Sequence, residues 1–323
     1  MNRKEIWVYL ERNPEEIEDV SLEILGRAKE LGKKSDMSVV GVMLGKEPGN
    51  LGDIALKHGA DKVIFLKDSL LESYSTEDYT KALFEIINKR MPEIFLLGAT
   101  YQGRDLAGRL SARLRTGLTA NVVSLDIDTD GYLLSGVPGY GSKVLAEIIC
   151  VRNKPQMSTV RPGIFSKKLI PIKAGIVEVL DLDLQGSVSR VRVVSRKVEK
   201  HPDLSRAEKV IIAGNGVEGN LDMVAKMADI FGARLGVSRP IADKGKASRE
   251  LQVGSTGYSL NAKLVLIFGV SGAEHFLPGI ANCQTVISIN MDRESDIFEY
   301  SDYCVVADAS KIIPILLREG GDR

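Results

Sequence analysis

The residues with most chemical promise crowd the last third of the chain. In "VIIAGNGVEGN" an apolar run leads into Gly214, Gly216 and Gly219, spaced G-x-G-x-x-G as in a dinucleotide-binding turn. A nicotinamide site would also need an acid at the end of the next strand to hold the ribose 2′-hydroxyl. Ser238 and Arg239 stand there instead. An arginine could accept a 2′-phosphate, but it could equally face any anion. Glycine that tolerates positive φ in a tight strand-to-helix turn explains the motif as well.

Further on, the loop "QVGSTG" (252–257) is built of small and hydroxyl-bearing residues that bring backbone N–H groups close to a ligand. "GVSGAE" (269–274) reads as a strand end opening a helix, where free N–H donors and the helix dipole suit a phosphate. "SRP" supplies a permanent cation at Arg239, and "SIN" and "VAD" set Asn290 and Asp308 at the ends of the next two strands. These five elements converge on one sheet edge. Together they suit a long, phosphate-bearing cofactor with a polar head at each end.

Two alternating βα series must position them. The first runs from "EIWVYLE" through "SVVGVMLG", "KVIFLK" and "EIFLLGAT", with amphipathic helical stretches between. That pattern predicts parallel strands in βαβ units. Residues 121 to 200 read as strands and turns ("NVVSLDIDTDGYLLSG", "KVLAEIIC", "AGIVEVLDLDL", "SRVRVVSRKVE"), expected to extend the first sheet. A polar stretch with Pro202 sets a domain boundary near residue 203, giving domains 1–203 and 204–323. The second series holds "KVIIAGN", a helix at about 219–231, "ARLGVS", "KLVLIFGV", a helix opened by "SGAEHFLPG", "TVISIN", a short helix, "YCVVAD" and a last helix. The fold class is therefore α/β. An N-terminal βα domain with a parallel sheet precedes a C-terminal doubly wound, Rossmann-like domain.

Composition bounds the function. The 323 residues suffice for two cores, and 43 basic residues balance 43 acidic ones. A neutral chain gives no support for nucleic-acid binding. No run approaches the roughly 18 apolar residues of a membrane span. The N-terminus lacks a signal-peptide h-region, so the expected location is cytoplasmic. Cys150, Cys283 and Cys304 lie far apart, and no metal-ligand spacing occurs. Trp7 and Cys283 read as core residues. No general base stands in a persuasive setting.

The order "SRPIAD", "QVGSTG", "GVSGAEHFLPG", "ISINMD", "IFEYSDYCVVAD", "KIIPIL" resembles the flavin-binding domain of the alpha subunit of electron-transferring flavoprotein. "GRDLAGRLSARLRTGLTANV" and "KPQMSTVRPGIF" extend the resemblance over nearly the whole chain. It implies FAD in the C-terminal domain and a heterodimer with a beta subunit. It also implies electron transfer between a flavin dehydrogenase, such as an acyl-CoA dehydrogenase, and another redox partner, with electron bifurcation left open. By the resemblance, Arg239 lies against the isoalloxazine with Ser238 beside it. Val253, Gly254, Ser255 and Thr256 form the flavin loop, with Thr256 near N5. Ser271, Gly272 and Ala273 hold the middle of the cofactor; Asn290, Asp308 and Ala309 match positions around the adenosine half.

The chain departs from the family at Asn215, where an arginine is usual, at Ser255 for glutamine and at Lys246 for an aromatic residue. The family histidine that reaches the flavin C2 carbonyl would fall at Phe276, while this chain has His275 one place earlier. Two rival readings are a nicotinamide dehydrogenase using the Gly214–Gly219 turn and a flavin-free structural subunit of a redox complex.

Overall fold

The fold was taken from a computed structural model that describes residues 4–13, 16–139, 144–170, 175–184, 193–194, 204 and 207–321. The chain divides into two compact units, Met1–Pro138 with Leu145–Lys197 and Gly139–Val144 with Val198–Arg323. The boundary expected at residue 203 and most of the expected strand "SRVRVVSRKVE" lie outside the described residues.

In the first unit the alternating series forms β1 (Glu5–Tyr9), α1 (Asp19–Ser35), β2 (Ser38–Gly45), α2 (Leu51–Lys57), β3 (Lys62–Lys67), α3 (Thr76–Arg90), β4 (Ile94–Gly98) and α4 (Tyr101–Leu114). After it come β5 (Leu118–Val122), β6 (Ser124–Ile127), β7 (Leu133–Gly139), β8 (Val144–Ile148), β9 (Gln156–Val160) and β10 (Ile176–Asp181). A parallel sheet runs in the order β10-β3-β2-β1-β4-β9-β5. Its central strands are apolar without alternation because both faces are covered. Ile6, Val8 and Leu10 pack with α1 residues such as Ile24, Leu25 and Ala28. Trp7 and Tyr9 point the other way, toward Leu83 and Ile86 of α3 and Leu106 and Leu110 of α4.

The stretch 121–200 does not simply extend this sheet. β9 and β10 join it, but β6, β7 and β8 form a separate three-stranded sheet. The cause is local pairing. β6 and β7 form an antiparallel hairpin. At its turn, Asp128 Oδ1 accepts hydrogen bonds from the Asp130 and Tyr132 amides, at 3.0 and 2.8 Å.

The second unit contains β11 (Lys209–Ala213), α5 (Leu221–Ile230), β12 (Arg234–Val237), α6 (Arg239–Asp243), β13 (Leu264–Phe268), β14 (Val286–Asn290), β15 (Tyr303–Val306) and α7 (Ala309–Gly321). Its parallel sheet has the order β12-β11-β13-β14-β15. The strand order therefore reverses between β11 and β13, which makes their carboxyl ends the topological switch point. One face carries α5, α6 and α7 over Ile211, Ala213, Phe268 and Ile289. The other is covered by loop residues including Leu260, Phe276, Leu277 and Ile280. "SGAEHFLPG" opens no α-helix, only a 3₁₀ turn at Leu277–Gly279. Pro278 offers no amide, and a Cβ at Gly279 would sit 2.5 Å from the Gly254 amide nitrogen. No helix of the described residues is long and apolar enough to cross a membrane.

Candidate flavin cavity at the switch point

A cavity of about 630 Å³ opens at the carboxyl edge of the second sheet, within the usual size range of small-molecule sites. Of the residues expected there, Ser238, Arg239, Val253, Thr256, Ser271, Ala273, His275 and Asn290 line it. Gly254, Ser255, Gly272, Asp308 and Ala309 do not belong to the lining.

Two glycine turns contribute Gly216 and Gly269 to its lining. A Cβ at Gly214 would lie 2.2 Å from the Gly269 carbonyl oxygen, and one at Gly216 would lie 3.1 Å from Gly269 Cα. The Gly216 amide donates to Gly269 O at 3.0 Å. Backbone therefore packs on backbone; Gly214 is needed for that approach, and a side chain at Gly216 would have to displace Gly269 by a few tenths of an ångström. A 3₁₀ stretch, Asn215–Asn220, leads from this turn into α5. Asn215 and Gly216 still line the cavity. Asn215 Oδ1 accepts from Lys244 Nζ at 2.8 Å, and Glu218 engages the same ammonium.

Ser238 and Arg239 begin α6, with Pro240 in its first turn. Ser238 is buried, and its Oγ has no hydrogen-bond partner among the described residues. A buried hydroxyl left unpaired is costly, so this one is suited to a ligand in the cavity it lines. Arg239 Nε pairs with Asp243 Oδ2 at 3.1 Å, and Asp243 Oδ1 takes Arg249 Nη2 at 3.2 Å. All three side chains are more exposed than buried or nearly so, at 59%, 42% and 75%.

The 252–257 loop is strapped to the 273–279 turn. The Ser255 amide donates to His275 O at 2.7 Å, and Gly254 adopts φ +135° where a Cβ would lie 2.6 Å from that oxygen. Gln252 Nε2 donates to Thr256 Oγ1 at 2.7 Å and so fixes that hydroxyl. His275 is exposed and Phe276 is buried at 6%, although both reach the lining. Asn290 Nδ2 donates to Val270 O at 2.8 Å and to Ser295 Oγ at 3.0 Å, and Ser295 Oγ donates to Ser271 O at 3.0 Å. Asn290 therefore braces the turn that carries Ser271 and Ala273. Asp308 Oδ1 accepts from the Ser310 amide at 2.9 Å and hydroxyl at 2.6 Å at the start of α7. These bonds hold its carboxyl below the usual range.

Sequence reasoning missed Gln252, Asp243 and Ser295. Asp243 was detectable as the i+4 acid to Arg239. Gln252 and Ser295 act through contacts that only the folded loops create. Trp7 and Cys283 do lie in apolar surroundings; Trp7 is fully buried, and burial pushes the Cys283 thiol up to about 11.

Known proteins resemble this chain along nearly its whole length. A family model described as the electron transfer flavoprotein domain matches residues 6–185, and one described as the electron transfer flavoprotein FAD-binding domain matches residues 203–281. The chain is 37% identical to an electron transfer flavoprotein subunit alpha of Thermoanaerobacterium thermosaccharolyticum, covering 98% of this chain and 97% of the relative. It is 31% identical to an acryloyl-CoA reductase electron transfer subunit beta of Anaerotignum propionicum, covering 97% and 95%. With the LctC subunit of a lactate dehydrogenase (NAD(+),ferredoxin) of Acetobacterium woodii it shares 34% identity, over 97% of this chain and 76% of the relative.

Proposed function

This chain belongs to the family of electron transfer flavoprotein alpha subunits, and from that premise we propose that it holds FAD in the switch-point cavity and pairs with a beta subunit. Its role is electron transfer, and its C-terminal unit is a flavin-binding domain. The flavin, when bound, supplies the electron-accepting chemistry; the chain supplies position and electrostatics.

The observation that carries the FAD reading is the orphaned Ser238 hydroxyl beside Arg239 at the switch point. In our reading Arg239 faces the isoalloxazine and favours its reduced, more negative form. Thr256, fixed by Gln252, presents its hydroxyl to the same ring. Ser271 and Ala273 lie on the turn braced by Asn290 and receive the middle of the cofactor. Asn290 is assigned to the adenosine half, with Asp308 and Ala309 at the start of α7. A nicotinamide reading lacks the acid expected where Ser238 and Arg239 follow β12. We place the complex in the cytoplasm, passing electrons between a flavin dehydrogenase and a second redox protein.

The test is flavin stoichiometry of the chain co-purified with its partner subunit. FAD bound in the wild type, and held at least tenfold more weakly after Ser238→Ala, supports the reading. No FAD uptake on reconstitution would overturn it.

A further inference from the structure

At the carboxyl edge of the first unit's sheet, β4 and β9 run in parallel with Gly98 opposite Val160. The Ala99 amide donates to Val160 O at 2.6 Å, so Arg161 follows directly alongside. The Ala99 carbonyl also accepts from Arg104 Nε at 2.7 Å. Arg161 and Arg104 are thus gathered at one strand edge.

Neither arginine has an ion-pair partner among the described residues. Arg161 is half-buried, and burial, with repulsion from Arg104, lowers its pKa from the usual value. The acids on neighbouring elements are engaged elsewhere. Glu11, at the end of β1, receives the Thr100 hydroxyl. Glu23 of α1 accepts from the Gly163 amide at 2.9 Å. Asp105 of α4 accepts from Tyr74 Oη at 2.7 Å and from Thr76. Arg104 also stands near the start of α4, where the helix macrodipole disfavours a cation. The edge therefore carries positive charge with no counter-charge from the described residues of this chain. Beside it, Tyr101 is 82% exposed, with the Arg104 guanidinium carbon 5.9 Å from its ring centroid.

We infer that Arg104, Arg161 and Tyr101 form a docking point for an acidic side chain of the partner subunit. Exposed tyrosine and arginine are the residue types enriched at the energetic centres of protein interfaces. A half-buried guanidinium is costly alone and favourable once a carboxylate pairs with it. This assignment rests on the heterodimer reading and extends it to named residues.

The test is subunit exchange in the purified heterodimer, followed by fluorescence between labelled and unlabelled complexes. Arg161→Gln and Arg104→Gln should each speed dissociation at least tenfold and flatten its dependence on salt. Arg161→Lys should fall between the wild type and Arg161→Gln, and Tyr101→Ala should speed dissociation about threefold. The melting temperature of the separated chain should stay the same or rise in the arginine variants, because an uncompensated charge is removed. A merely structural arginine would instead lower it. Wild-type exchange and salt dependence in both glutamine variants would overturn the docking point. Saturable binding of inorganic phosphate to the wild type, lost in Arg161→Gln, would also overturn it by assigning the arginines to a small anion. A wild-type chain that forms no complex at any salt concentration would overturn the heterodimer reading itself.

Discussion

Arg239 Nε lies 3.1 Å from Asp243 Oδ2, and the other oxygen of that carboxylate holds Arg249 at 3.2 Å. Two guanidiniums share one carboxylate, so this cluster at the rim of the cavity keeps one net positive charge. Asp243 therefore restrains Arg239 and also offsets part of its field.

Arg239→Ala should lower the first reduction potential of the bound flavin. A unit charge about 4 Å away is worth roughly 4 kcal/mol at an effective dielectric of about 20. Exposure and the Asp243 partner reduce this to about 1–2 kcal/mol, or about 40–90 mV for one electron. Arg239→Lys should retain part of the effect, because it keeps the charge but loses the planar fork. A spectroscopic redox titration of the loaded complex reads the midpoint; an unchanged value with FAD still bound would remove Arg239 from the isoalloxazine.

Asp243→Asn should shift the same midpoint upward, by about 20–60 mV, because it removes the opposing charge and leaves Arg239 in place. A downward shift would mean that the lost restraint on Arg239 outweighs the lost charge.

His275 and Phe276 should separate by readout. His275 is exposed at the lining, so His275→Ala should move the flavin potential and change stability by less than about 0.5 kcal/mol. Phe276 is buried in the core cluster, so Phe276→Ala should destabilise by about 3 kcal/mol. Denaturant titration of the two variants, beside their redox midpoints, checks the assignment. Equal stability loss in both would contradict it.

Gly254→Ala combines an unfavourable φ of +135° with a Cβ placed 2.6 Å from the His275 carbonyl. The expected cost is about 2–4 kcal/mol, with weakened flavin retention because the strap to His275 must shift. A melting curve within about a degree of the wild type would show that the loop can relax freely.

Glu11 gives a pH prediction for the first unit. Burial raises its carboxyl to about 7 from 4.5, against a lowering by the Thr100 hydrogen bond. The folded chain then holds a proton that the unfolded chain releases. Its stabilising contribution is complete below about pH 4.5 and is lost as pH rises through about 7. The shift corresponds to about 3 kcal/mol. Glu23 titrates in the same direction, also raised to about 7 by burial. Glu11→Gln should flatten the fall in stability between about pH 4.5 and pH 7, measured by urea unfolding. A slope identical to the wild type would mean that the carboxyl is ionised in the folded state.

The parallel strands were legible because each is a short apolar run covered on both faces, as in "SVVGVMLG" and "KVIIA". The separate hairpin sheet was not, because alternation in "SLDI" says that one face is buried and not which sheet it joins. "SGAEHFLPG" misled for a different reason. Its residues suit a helix start, but Gly279 is pressed against Gly254 from a distant loop. At the site, single cavity-lining residues such as Arg239 and Asn290 could be read by their place at strand ends. The partners that fix them, Gln252 on Thr256 and Ser295 on Asn290, depend on loop packing with no local signature.

The pairing of β10 with β3 sets the order in which the first unit can be made. Ile176 lies beside Lys62 in that register, so the edge of the sheet closes only after on the order of a hundred intervening residues have been synthesised. Until then β3 presents an open parallel edge as the chain leaves the ribosome, and Val63 and Phe65 depend on α1 and α2 for cover. Among the described strands of this unit the last to arrive completes the oldest part of the sheet. Truncation before residue 176 should therefore yield a chain that collapses early yet stays prone to edge-to-edge association during translation.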